Sequence, residues 1–133
     1  MTVKSIYNNL LINKKHQGKL VFSTNRNYKY LESCLENHEL INMSFIGLHN
    51  YIDNSNHDNF FIYVITDNYF ILAKNSLFFK KIEKINLDDI TCLQFSTKNN
   101  FGIISIKTKN KSFNIAIDYE KSKHVYKLME IYI

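Results

Sequence analysis

Apolar residues recur along this chain with two different periods, and the period changes near residue 39. Before that point the spacing is helical. Ile6 with Leu10, and Tyr7 with Leu11, stand four residues apart between Ser5 and Asn13, which predicts a short amphipathic helix. Lys14-Lys15-His16-Gln17-Gly18 breaks the pattern, and Lys19 to Phe22 reads as a short extended piece. Ser23-Thr24-Asn25 then offers N-cap residues for a second helix, in which Tyr28, Leu31 and Leu35 share one face.

From Glu39 onward the chain reads as strand after strand. Leu40 to Leu48 is the first, and the polar stretch "NYIDNSNHDN", Asn50 to Asn59, is expected as a flexible loop. Phe60 to Ile65 and Tyr69 to Lys74 flank Thr66-Asp67-Asn68, whose short polar side chains suit a tight hairpin turn. A further turn at Asn75-Ser76 sends the chain back through Phe79 to Ile85. Three more strands follow, Ile90 to Phe95, Gly102 to Thr108 and Lys111 to Ile117, with Lys109-Asn110 turning the last pair. Ile104 and Ile106, then Phe113, Ile115 and Ile117, alternate with polar residues as half-buried antiparallel strands do. The chain closes on a helix that Asp118 is placed to cap, with Val125, Leu128, Met129 and Tyr132 on one stripe.

About seven short antiparallel strands followed by one amphipathic helix predict a mainly β (α+β) fold. The sheet is expected to curl into a partly open barrel, and the helix to lay its stripe across an open end. With 133 residues the chain fits one such domain, 35–133, preceded by an N-terminal helical extension, 1–34.

Composition adds little to that picture. A 45% hydrophobic fraction is ordinary for a globular domain. Sixteen lysines stand against one arginine, proline is absent, and Asn, Ile, Phe and Tyr are heavily used. This is the bias of an AT-rich bacterial or phage genome and concerns codons rather than chemistry. No apolar run reaches the roughly 20 residues of a membrane helix, because Asp67, Asn68 and Lys74 interrupt the longest one. The start of the chain lacks the pattern of a signal peptide, so a cytoplasmic location is expected. Cys34 and Cys92 are far apart, lie in apolar-patterned segments and read as two buried thiols.

Catalytic chemistry finds no support in the spacing of residues. His16, His38, His49, His57 and His124 form no metal-ligand pattern, and there is no phosphate loop or nucleophile elbow. Asp88-Asp89 is an adjacent carboxylate pair, but its place between "INL" and "IT" reads as a turn before a strand. No cofactor is expected.

The residues "YVITDNYFILAKNSLFFKKIEKINLDDIT" resemble the central block of bacterial pleckstrin-homology-like domains of the YokE-like type. The likeness lies in the Thr66-Asp67 turn, the strand Tyr69-Phe70-Ile71-Leu72, and the Phe79-Lys80-Lys81 hairpin. It continues in Ile85-Asn86-Leu87-Asp88-Asp89-Ile90, Gly102 and the closing helix, and "LENHELI" resembles the entry into the first strand. Asn68 stands where the family often has Lys or Arg, and Asn86 where it often has Pro. The resemblance covers the chain from Leu35 to its end and implies the same partly open barrel. It carries no chemical motif.

Two properties bear on partners. The net charge of +5 attracts anionic partners, and Lys80, Lys81, Lys84, Lys98, Lys107, Lys109 and Lys111 form a candidate basic patch. The 50–59 loop, however, has Asp53 and Asp58 and no Lys or Arg, unlike the loop that clamps phosphates in lipid-binding pleckstrin-homology domains. Strand lysines also guard edges against aggregation. The expected role is therefore a non-catalytic binding module for a protein or peptide. An anionic membrane surface is the alternative and a nucleic acid the weaker one, and self-association is compatible with both.

Overall fold

The computed structural model describes Leu35, residues 41–75 and residues 80–133. The helices and extended piece expected in the first third, with His16, Cys34 and His38, lie outside these residues, as does 76–79; Leu35, expected on the second helix, stands in a bend.

Among the described residues seven strands and one α-helix follow in the expected order. They are β1 (Ile41–His49), β2 (Phe60–Thr66), β3 (Tyr69–Asn75), β4 (Lys80–Asn86), β5 (Ile90–Lys98), β6 (Phe101–Thr108), β7 (Ser112–Asp118) and α1 (Tyr119–Tyr132). All pairs are antiparallel, and the spatial order is β4-β3-β2-β1-β7-β6-β5. Strand β1 makes the corner. It pairs with β2 along most of its length, while its last residues, Leu48 and His49, pair with Ala116 and Ile115 of β7. Gly47 is needed at this corner, since a Cβ there would collide with the Ile115 side chain. Strands β4 and β5 end the sheet without pairing to each other, so the barrel is partly open and consistent with a PH-like fold.

Alternation sorts side chains between the two faces. The inner face carries Met43 and Phe45, Tyr63 and Ile65, Phe70 and Leu72, Ile85, Ile104 and Ile106, and Phe113, Ile115 and Ile117. Helix α1 adds the expected stripe, with Val125 and Met129 buried and Leu128 and Tyr132 packed beside them. Asp118 occupies the N-cap position of α1 but its side chain makes no capping hydrogen bond.

The turns follow their residues. The Thr66 hydroxyl accepts the N–H groups of Asn68 (3.3 Å) and Tyr69 (3.0 Å), and Asn42 ties Asp67 down from β1 at 3.0 Å. Strand β5 runs past the expected end at Phe95 to Lys98, because Asn99 and Asn100 both adopt positive φ (54° and 67°). That is the backbone of a two-residue hairpin, which Asn tolerates. Asp88 and Asp89 sit in a one-turn 3-10 helix, Leu87–Asp89, ahead of β5.

The stretch after β1 departs from expectation. Residues 50–59 form a folded lobe that lies back over the outer face of β6 and β7. The reason is Tyr51, an aromatic inside a polar run, which is 1% exposed and packs with Leu48, Ile103, Ala116 and Phe101. Tyr51 N–H donates to the Asn114 carbonyl (3.1 Å), its hydroxyl to Asn54 (2.6 Å), and Lys98 Nζ to the Ile52 carbonyl (2.6 Å).

Candidate functional site

Two features of the partly open barrel bring functional side chains or open backbone groups together. The first lies at the end of the sheet where β1, β3 and the turn ahead of β7 bring His49, Lys74 and Lys111 together. Strand register puts Lys74 directly opposite Lys81 on β4, in the same row as Phe61 of β2. Like charges facing each other across a pair of strands cost stability unless something offsets them. Partial offsets are present. Lys74 donates to the Asp58 carbonyl at 3.0 Å and stands 5.6 Å from the Phe61 ring centre. Lys111 pairs with Glu83 of β4 and stands 5.9 Å from the Phe113 ring centre.

Beneath these lysines His49 is enclosed by the same two rings, 4.4 Å from Phe61 and 5.1 Å from Phe113. Its Nδ1 is 2.9 Å from the Tyr63 hydroxyl; which of the two donates depends on the imidazole tautomer. Burial, reinforced by Lys81, Lys111 and Lys74 and opposed by Asp58, lowers its pKa from 6.5 to about 4. The ring is therefore neutral at pH 7. Burial also lowers the pKa of Lys74, and burial together with Lys81 lowers that of Lys111 even with Glu83 beside it. Tyr63, fully enclosed, is raised well above the usual phenol range.

The second feature is the free edge β5 beside α1. A groove of about 250 Å³ runs between them, lined by Ile90, Thr91, Leu93, Tyr126, Glu130 and Ile133. The hairpin at Asn99-Asn100 closes on the pair Lys98 and Phe101, so alternate residues Thr97, Phe95 and Leu93 turn their backbone groups away from β6. The Tyr126 hydroxyl confirms this direction by donating to the Leu93 carbonyl at 3.3 Å. It takes the position that the N–H of an added strand would take.

The seven lysines of the expected basic patch are dispersed. Lys81 and Lys111 come together at the open end, joined by Lys74, which spacing alone did not single out. Lys84 stands 5.0 Å from the Tyr69 ring centre, and Lys109 pairs with Asp89 at 3.4 Å. Lys107 flanks a shallow trough on the outer face of β5–β7, Lys80 opens β4, and Lys98 holds the 50–59 lobe. His49 had no sequence signal beyond its place at the end of an apolar strand. Cys92 is half-buried rather than fully buried.

No family model, curated protein or solved structure matches this chain. Among the described residues no group of three His, Cys, Asp or Glu side chains is placed to hold a metal ion, and no helix is long and apolar enough to cross a membrane.

Proposed function

We propose that this chain is a binding module of PH-like type that takes an extended segment of a partner protein along β5, in the groove beside α1. A contrast between the two sheet edges carries the reading. Strand β4, "KKIEKIN", has four charged residues in seven, the usual protection of an exposed edge. Strand β5, "ITCLQFSTK", has no charge before Lys98 and no proline. The outward backbone groups of Phe95 and Thr97, next to a shallow groove of mixed apolar and polar lining, suit strand addition, in which backbone hydrogen bonds supply affinity and the groove supplies specificity; at Leu93 the incoming strand would replace the Tyr126 hydroxyl. The role is binding rather than catalysis.

Selection of random peptides on the purified protein tests the reading. Enriched peptides are expected to alternate apolar and polar residues and to shift the amide resonances of Leu93, Phe95 and Thr97. Thr97→Pro removes an outward N–H without touching the β5–β6 ladder, and should abolish the binding. Failure to enrich any peptide, or binding indifferent to Thr97→Pro, overturns the reading.

The cluster of Lys74, Lys81 and Lys111 favours a second reading, an anionic ligand or membrane surface received at the open end. Sedimentation with anionic vesicles across a salt titration separates the two readings. Binding that weakens with salt and is lost in Lys81→Glu supports the second, and absence of binding excludes it.

A further inference from the structure

The outer face of β1–β4 is an apolar surface with no described element to cover it. Ile46, Ile62, Val64, Ile71 and Ala73 point away from the inner core, and none is more than 1% exposed. Ile41, Phe60, Tyr69 and Ile82 extend the same cluster within the sheet. Helix α1 packs with the inner cluster, and the 50–59 lobe lies over β6 and β7, so neither accounts for this burial. Among the described residues, one side chain from outside the sheet packs here, and it is Leu35.

Leu35 says where the cover comes from. Leu35 itself stands in a bend, and it directly follows a stretch in which Tyr28 and Leu31 share one helical face in the sequence, so the contact that ties Leu35 to the sheet brings that face beside it. The earlier segment, Ser5 to Asn13, supplies a second apolar stripe of Ile6, Tyr7, Leu10 and Leu11. The dimensions agree. Four strands spaced about 4.8 Å apart make a face about 19 Å across, and two helices of about 10 Å diameter fill it side by side. The 76–79 segment is four residues long, too short to cover such a face.

We infer that residues 1–34 cover the outer face of β1–β4, seated through Tyr28, Leu31 and Leu35 and through the Ile6–Leu11 stripe. The N-terminal extension is then a third layer of the domain and not a detachable arm. It leaves β5 and its groove, on the far side of the sheet, free for a partner.

A spin label on the full-length chain tests this. Asn27→Cys, with Cys34→Ser and Cys92→Ser, places the label off the apolar stripe. In the dilute protein the methyl signals of Ile62, Val64, Ile71 and Ala73 should lose most of their intensity, while Ile103 and Ile106 of β6 keep theirs. Equal loss at all these methyls, or no loss at any, overturns the inference. A mixture of spin-labelled chain with isotope-labelled, label-free chain identifies the remaining occupant. Broadening that appears there as strongly as within one chain assigns the face to a second copy and also overturns it.

Discussion

Gly102 of β6 and Ser122 of α1 meet where the helix crosses the sheet, so closely that a Cβ on Gly102 would overlap both Cβ and Oγ of Ser122. Phe95 closes the third side at 3.1 Å from the same point. Ser122 is fully buried there and its hydroxyl returns to the Tyr119 carbonyl at 2.8 Å, so it has no room to retreat. Gly102→Ala is therefore expected to lift the N-terminal half of α1 and to cost about 2–3 kcal/mol in urea unfolding, the range of an overpacked core. Adding Ser122→Gly to that variant should recover part of the loss, despite the poorer helix propensity of glycine. A double variant less stable than Gly102→Ala alone would show that the contact is not the cause.

The buried imidazole sets a pH dependence. His49 has a folded pKa of about 4 against 6.5 unfolded, so between those values the unfolded chain binds more protons than the folded one. The contribution is complete above pH 6.5 and declines as pH falls toward 4. A shift of this size corresponds to about 3 kcal/mol, and about 2 kcal/mol is expected once water at the open end is allowed for. The unfolding free energy from urea titrations at pH 7.5 to 4 should fall by that much. The paired substitution His49→Phe and Tyr63→Phe, which removes both polar partners together, should flatten that part of the curve.

Lys81 is expected to act on His49 through charge. After burial it is the first contributor to the lowered imidazole pKa, ahead of Lys111 and Lys74. Lys81→Gln removes that repulsion and keeps the length of the side chain, so the pKa of His49 should rise toward 6.5 without reaching it. Titration of the His49 ring protons measures the rise directly. A fixed pKa in Lys81→Gln would mean that burial alone holds the ring neutral. An anion that occupies the open end should move the pKa in the same direction, which gives the second functional reading an independent readout.

Much of the scaffold was legible because periodicity is local. The alternation at Phe113, Ile115 and Ile117, the Thr66-Asp67-Asn68 turn and the Val125–Met129 stripe each reflect a few neighbouring residues in one backbone geometry. The open end was not legible for the opposite reason. Lys74 and Lys81 become neighbours through β3–β4 register, and Lys111 reaches Glu83 from the far side of the gap. Seven lysines therefore read as one patch when the sheet disperses them. Tyr51 was hidden by composition, since one aromatic in a run of Asn, Asp and Ser still reads as a loop, and only the nearby surface of Ile103 and Ala116 makes it an anchor.

Ser44 offers a test of the outer face that leaves the inner core alone. It lies on β1 opposite Val64, is fully buried, and its hydroxyl has no hydrogen-bond partner among the described residues. A hydroxyl removed from water without a partner costs about 1–3 kcal/mol, whereas a methyl group in the same apolar setting costs nothing comparable. Ser44→Ala takes away that penalty at the expense of one small atom, so the variant should be more stable than the parent by about 1 kcal/mol. The gain should appear as a higher urea midpoint with an unchanged slope. If Ser44→Ala is instead destabilising by a similar amount, the hydroxyl has a partner in the layer that covers this face, and the residue in 1–34 that donates or accepts becomes the next one to find.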